Sequence, residues 1–199
     1  MNPFHTHYPD FDVMDQKEHW DPHTREIVEK RLELGNYKTL SQQEAETLYQ
    51  LCSVLLHDTR DTILYYVVHH FDNKLSSDIG ESQRKKGIPK HSVLIREGLR
   101  ALDQYCTSDY GALFSGLEDH IQHMIVDQLM RGTLQLNADG VQIPAQDLFS
   151  KLLTESVSAY YSHPSIWSEI GYAGPAYPRG YVRSEMGLTD PWEAKRRDA

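Results

Sequence analysis

Ser41 and Glu44 stand three residues apart at the head of the sequence LSQQEAETLYQLCSVLL, and this pair constrains the fold more than any other local feature. A serine that caps the backbone N–H of the third helical residue, with a glutamate there reaching back, is a capping box and starts a helix. Ala45, Leu48, Leu51, Cys52, Leu55 and Leu56 then recur at intervals of three and four, the period of a helix with one buried face. The same spacing continues through Leu64, Val67, Val68, Phe71, Leu75 and Ile79, and again through Leu94, Ile95, Leu99, Leu102 and Cys106.

Asp21 followed by Pro22 predicts a first helix over 22–34, stopped at Gly35. Asp109 is read as the cap of a fifth helix, whose apolar face runs Leu113, Phe114, Leu117, Ile121, Met124, Ile125 and Leu129 to Gly132. NADG at 137–140 is a turn, and Pro144 opens a sixth helix carrying Leu148, Phe149, Leu152, Leu153, Val157 and Tyr160. That helix ends before Pro164, because the residue preceding a proline is pushed out of helical geometry. No strand period is sustained, so the expected fold is all-α: an irregular bundle of about six helices, with an extended aromatic, proline- and glycine-rich arm at each end. The expected division is an arm over 1–20, a helical domain over 21–162 and an extended strap over 163–199.

With 199 residues, 39% of them apolar, the chain can bury a core. Its formal charge of −9 repels phosphate backbones and anionic lipid surfaces, so neither nucleic acid nor a membrane is an expected partner. The longest apolar runs, such as Ile63 to Val68, fall far short of the ~20 residues that span a bilayer. The first residues, MNPFHTHYPDFDVMDQKEHWD, lack a basic segment followed by an apolar run, and the expected location is cytoplasmic. Cys52 and Cys106 both fall on apolar helix faces and read as buried thiols.

Eleven histidines raise the question of a metal. The best candidates, His120 and His123, are one turn apart with Asp119 and Asp127 nearby, yet neither Glu-x-x-His nor His-Glu-x-x-His occurs. They read as polar-face residues, and a self-sufficient metal enzyme built on them is kept as an alternative function. Asp58 and Asp61 read as negative charge offsetting a helix dipole, and QRKK at 83–86 as a solvated loop. No dinucleotide fingerprint, phosphate loop or nucleophile elbow is present, so no catalytic, cofactor or metal residue is assigned to this chain.

The end of the chain departs from all of this. From His163 it runs HPSIWSEIGYAGPAYPRGYVRSEMGLTDPWEAKRRDA, where prolines forbid a continuous helix and glycines permit turns. Disordered tails are poor in aromatics, whereas Trp167, Tyr172, Tyr177, Tyr181 and Trp192 are spread along this one. Either the strap folds back on its own chain or it docks on another protein. Arg179 and Arg183 interleave with the rings, and tyrosine, tryptophan and arginine are the types enriched at interface centres. The candidate partner interface is therefore Tyr8, Trp20, Trp167, Tyr172, Pro175, Tyr177, Arg179, Tyr181, Arg183 and Trp192.

YYSHPSIWSEIGYAGPAYPRGYVR with DPWE after it, and more weakly YPDFDVMDQKEHWDPHTREIVEKRL and LSQQEAETL, resemble the gluconate 2-dehydrogenase subunit 3 family. The resemblance implies a helical accessory subunit without its own cofactor, bound to a large glucose-methanol-choline (GMC) type oxidoreductase subunit that carries FAD. It implies a noncatalytic role in a soluble dehydrogenase of sugars, polyols or glycosides. Exported members carry a twin-arginine leader and hand electrons to a cytochrome subunit; this sequence lacks that leader, and a cytoplasmic complex is expected. A transient folding factor for the large subunit is a further alternative.

Overall fold

The computed structural model describes residues 6–77, 87–138, 140–180, 182, 183, 185 and 187–197. Among them are seven α-helices: α1 (Pro22–Leu32), α2 (Gln42–Leu56), α3 (Asp61–Leu75), α4 (His91–Tyr110), α5 (Asp119–Arg131), α6 (Ala145–Tyr160) and α7 (Pro164–Ile170). Short 3-10 segments lie at Val13–His19 and Phe114–Gly116, and β1 (Leu136–Ala138) pairs antiparallel with β2 (Val141–Ile143). The chain is mostly helical. It divides into two compact units, Leu34–Tyr160 and the two terminal segments Met1–Glu33 with Tyr161–Ala199.

In the unit Leu34–Tyr160 the capping box forms in both directions: Glu44 N–H donates to Ser41 Oγ at 3.2 Å and Ser41 N–H to Glu44 Oε2 at 2.7 Å. Leu48, Leu51 and Cys52 of α2 pack with Leu64, Val67, Val68 and Phe71 of α3 in one core, which α4, α5 and α6 close. Burying a side chain such as Phe71 completely contributes about 1.5–3 kcal/mol. At Gly98 of α4 an added β-carbon would meet Leu148 Cδ1 of α6 at 2.6 Å, so glycine is what lets the leucine of α6 lie against α4.

Asp109 does not cap a fifth helix. It lies inside α4, which runs on to Tyr110 and ends at Gly111 with φ 75°. The apolar residues Leu113, Phe114 and Leu117 sit on a 3-10 turn and its flanks, and α5 begins only at Asp119. Asp103 imposes the break: its Oδ1 accepts the Phe114 N–H at 3.2 Å while Oδ2 accepts the Thr47 hydroxyl at 2.8 Å. Of the predicted turn NADG, Asn137 and Ala138 lie on β1, Gly140 is a turn residue and Asp139 lies outside the described residues; β1 and β2, on either side, have no period in the sequence. Three residues each, with Leu136 and Ala138 buried around exposed Asn137, are too few to display a period. α1 ends at Leu32 rather than at a glycine stop, with Glu33 extended. Ile79 and the run QRKK at 83–86 lie outside the described residues.

Buried carboxylates tie the helices of this unit together, each with dedicated partners. Asp72 of α3 accepts the backbone N–H groups of Lys38, Thr39 and Leu40 at 2.7–2.8 Å and so holds the segment leading into α2. Glu44 meets Arg96 and Arg100 of α4 at 3.2 and 3.0 Å. Glu155 of α6 pairs with Lys74 of α3 and Lys151. Asp58 is more than a dipole charge: its side chain is fully buried, gripped by the Arg60 guanidinium and by the Tyr160 hydroxyl at 2.9 Å. Asp61 does lie in the first turn of α3, where it also accepts the Tyr49 hydroxyl.

Both cysteines are buried free thiols, as their positions on apolar faces predict. No helix among the described residues is long and apolar enough to cross a membrane.

Candidate interaction surface

The terminal unit is built by the two ends of the chain packing on each other. Asp12 caps the 3-10 segment Val13–His19 by accepting the Met14 N–H, and Asp21 caps α1 by accepting the Thr24 N–H at 3.0 Å. These turns aim Val13, Trp20 and Val28 into one small core with Phe11, Met14 and Trp167. Trp20 meets Trp167 edge-on at 6.4 Å, and Trp167 meets Tyr172 edge-on at 5.4 Å, the arrangement favoured by ring quadrupoles.

Hydrogen bonds from both backbone and side chains fix the register between the ends. Thr6 Oγ1 donates to Glu169 O at 2.7 Å, Val13 N–H to Ser168 Oγ at 3.0 Å, and Asp21 N–H to Tyr177 O at 3.3 Å. Arg197 donates its N–H to His7 O and its guanidinium to both carboxylate oxygens of Asp10 at 2.8 Å. Pro164 opens the short α7, and among the described residues no helix continues through Pro175, Pro178 and Pro191. The missing N–H of Pro164 costs nothing at a first helical position, and His163 Nδ1 accepts the Ser165 N–H at 3.1 Å as the cap. The expectation of extended chain from 163 is thus corrected as far as Ile170.

Beyond α7 the described residues are irregular but pinned. Arg179 lays its guanidinium over the Trp192 ring at 5.1 Å and donates to Gln16 Oε1 at 3.3 Å and Ala173 O at 3.2 Å. Burial lowers its affinity for the proton below the ordinary arginine value. Asp190, 1% exposed, accepts the N–H groups of Val182 and Arg183, both at 3.0 Å, while its own N–H donates to Glu193. The motif DPWE therefore has a local structural reason: its two carboxylates close the turn that returns the chain past Arg183.

The predicted interface residues separate by exposure. Trp20 is buried in the terminal core, and Tyr8, Trp167, Pro175, Arg179 and Trp192 are half-buried within the unit. Tyr8 rests where only a glycine, Gly171, leaves room for its ring. Tyr172, Tyr177 and Arg183 are exposed, Tyr177 by 71%. Tyr181 lies outside the described residues. Ile170, Val182 and Leu188 are exposed large apolar side chains on the same segment that composition did not single out, since scattered aliphatic residues carry no interface signature.

His120 and His123 are exposed and answer to their own helix turn. His120 Nδ1 lies 3.3 Å from Glu118 Oε2, and His123 Nδ1 lies 2.8 Å from Asp119 O. Among the described residues no group of three histidine, cysteine, aspartate or glutamate side chains comes together to hold a metal ion.

The family model described as Gluconate 2-dehydrogenase subunit 3 matches residues 42–174, from the first residue of α2 to the glycine beneath Trp20. The strap from Pro175 onward and the N-terminal segment lie outside that match. No curated protein and no solved structure matches the chain. Since the matched residues include α2 to α7 and two thirds of the chain, the protein belongs to the gluconate 2-dehydrogenase subunit 3 family.

Proposed function

We propose that this chain is the noncatalytic small subunit of an FAD-dependent sugar, polyol or glycoside dehydrogenase, and that it binds and stabilises a large GMC-type subunit. One observation carries the reading beyond family membership. Tyr177 and Val182 stand 71% and 72% exposed, while the Tyr177 carbonyl accepts the Asp21 N–H and the Val182 N–H donates to Asp190; exposed side chains on a tethered backbone support docking there. A pinned surface loses less entropy on binding than a loose one, which favours a lasting subunit contact. Flavin and hydride chemistry belong to the large subunit in this reading, and this chain supplies support and contact area.

Purification of the tagged protein from its native cells tests the proposal. A larger chain that co-elutes in fixed ratio, with flavin absorption near ~450 nm and dehydrogenase activity toward sugars or polyols, is expected. A lone colourless chain overturns it. A partner that keeps full activity and stability after this chain is removed reassigns the protein to a folding role.

A further inference from the structure

On α2, Gln42 and Glu46 lie one turn apart, and on α3 Tyr65 and His69 do the same, so each pair occupies one helix stripe. With Tyr37 from the segment before α2, these stripes line two adjoining hollows that share Tyr37, Gln42 and Tyr65. The Tyr37 and His69 rings stack at 4.6 Å with 28° between their planes. Tyr49 tilts against Tyr65 at 5.1 Å, and its hydroxyl is committed to Asp61. Tyr65 remains 47% exposed in this concave setting, with ring surface left for a ligand.

The charge of the cleft selects what can enter. No lysine or arginine is among the described residues lining the two hollows, and Glu46 is the carboxylate there. One Glu46 oxygen accepts the Gln42 amide at 2.9 Å. Burial first, and then the neighbouring Tyr65, Asp72 and Glu46, hold the Tyr37 phenol above its ordinary pKa, so it stays uncharged beside Glu46. Burial also holds the His69 imidazole below its ordinary value, so the ring contributes a surface without a positive charge at neutral pH. Anions are disfavoured twice, by this cleft and by the chain's net charge of −9.

We propose that the cleft takes an arginine side chain from another protein chain, with its guanidinium plane on the Tyr65 ring and its charge met by Glu46. Guanidinium is planar and weakly hydrated, so it stacks on an aromatic face while still bonding a carboxylate; an ammonium is compact and holds its water more tightly. The proposal goes beyond the small-subunit reading and stands independently of it, because the cleft lies wholly in the unit Leu34–Tyr160 and not on the strap.

Titration of the full chain with Nα-acetyl-arginine amide, followed through backbone amide NMR signals, tests it. Saturable perturbations centred on Tyr37, Glu46, Tyr65 and His69 are expected. The neutral citrulline counterpart should bind more weakly by roughly 2- to 5-fold or more, the range for an exposed cation–π contact. Glu46→Gln should weaken arginine binding by a similar factor with the melting temperature retained, because its side chain is exposed, and Tyr65→Ala should weaken it more. Equal binding of citrulline, preferential binding of methyl glucoside, or the absence of localised perturbations at the highest soluble concentration overturns the proposal.

Discussion

Gly174 lies directly beneath the indole of Trp20: a β-carbon added there would stand 2.7 Å from ring atom Cζ2, and the glycine has φ +78°. Both the ring contact and the left-handed backbone exclude a larger residue. Gly174→Ala should therefore destabilise the terminal unit by ~1–3 kcal/mol, the range for overpacking and for strained backbone. The chain's three tryptophans, Trp20, Trp167 and Trp192, all belong to this unit, so their fluorescence reports its unfolding. A lower denaturant midpoint by fluorescence is expected, and an unchanged midpoint would contradict the packing described.

Acid should act on the other unit through its buried carboxylates. Burial opposes ionisation of Asp58, Glu44 and Glu155. The Arg60 and Tyr160 bonds to Asp58, the Ser41 N–H and Arg96 at Glu44, and the two lysines at Glu155 outweigh it, leaving all three below their ordinary pKa values. A depressed native pKa contributes stability that is fully present above the unfolded value, about 3.9 for aspartate and 4.3 for glutamate, and is lost as pH falls through the native value. Helical circular dichroism should hold its denaturant midpoint down to about pH 5 and lose stability steeply below about pH 4. Arg60→Ala, which strands Asp58 without its cation, should cost about 3–5 kcal/mol at neutral pH.

Elements whose signal is local were legible in the sequence, and elements set by distant partners were not. The capping box at Ser41 and the apolar spacing of α2 and of α3 as far as Leu75 are properties of consecutive residues, and the structure places these residues on one core. The start of α5 is at Asp119 and not after Asp109, because Asp103 holds the Phe114 N–H, a contact across 11 positions with no periodic trace. The hairpin was missed because three-residue strands are shorter than any period that could announce them. On the two terminal segments, composition identifies the aromatic residues but cannot sort them. Trp20 and Tyr177 look alike as interface anchors in sequence, yet one is 4% exposed and the other 71%. What separates them is the packing of the N-terminal turn on α7, a tertiary fact.

The two cysteines should be inert in the folded protein. Both are completely buried, and burial pushes the thiols of Cys52 and Cys106 up to about 12. The thiolate is the reactive form, so at pH 8 almost none is present, and what forms is out of reach. A disulfide-exchange reagent should give no colour with the native chain and two equivalents after denaturation. Rapid stoichiometric reaction of the native protein would place one of the thiols at the surface.

Tyr177 and Arg179 are two positions apart and should respond in opposite ways to alanine. Tyr177 projects its ring into solvent, so Tyr177→Ala should leave the fluorescence-detected stability within about 0.5 kcal/mol of the parent. Arg179 packs on Trp192 and bonds Gln16 and Ala173, so Arg179→Ala removes a structural tie and should lower the stability of the terminal unit by about 1–3 kcal/mol. If the strap is the subunit contact, both variants weaken assembly with the large chain, Tyr177→Ala by ~1–3 kcal/mol through lost contact alone. Measuring unfolding and assembly side by side separates the cases. A Tyr177→Ala protein that folds and assembles normally removes this tyrosine from the interface, and weakened assembly with unaltered folding locates the contact on the exposed strap.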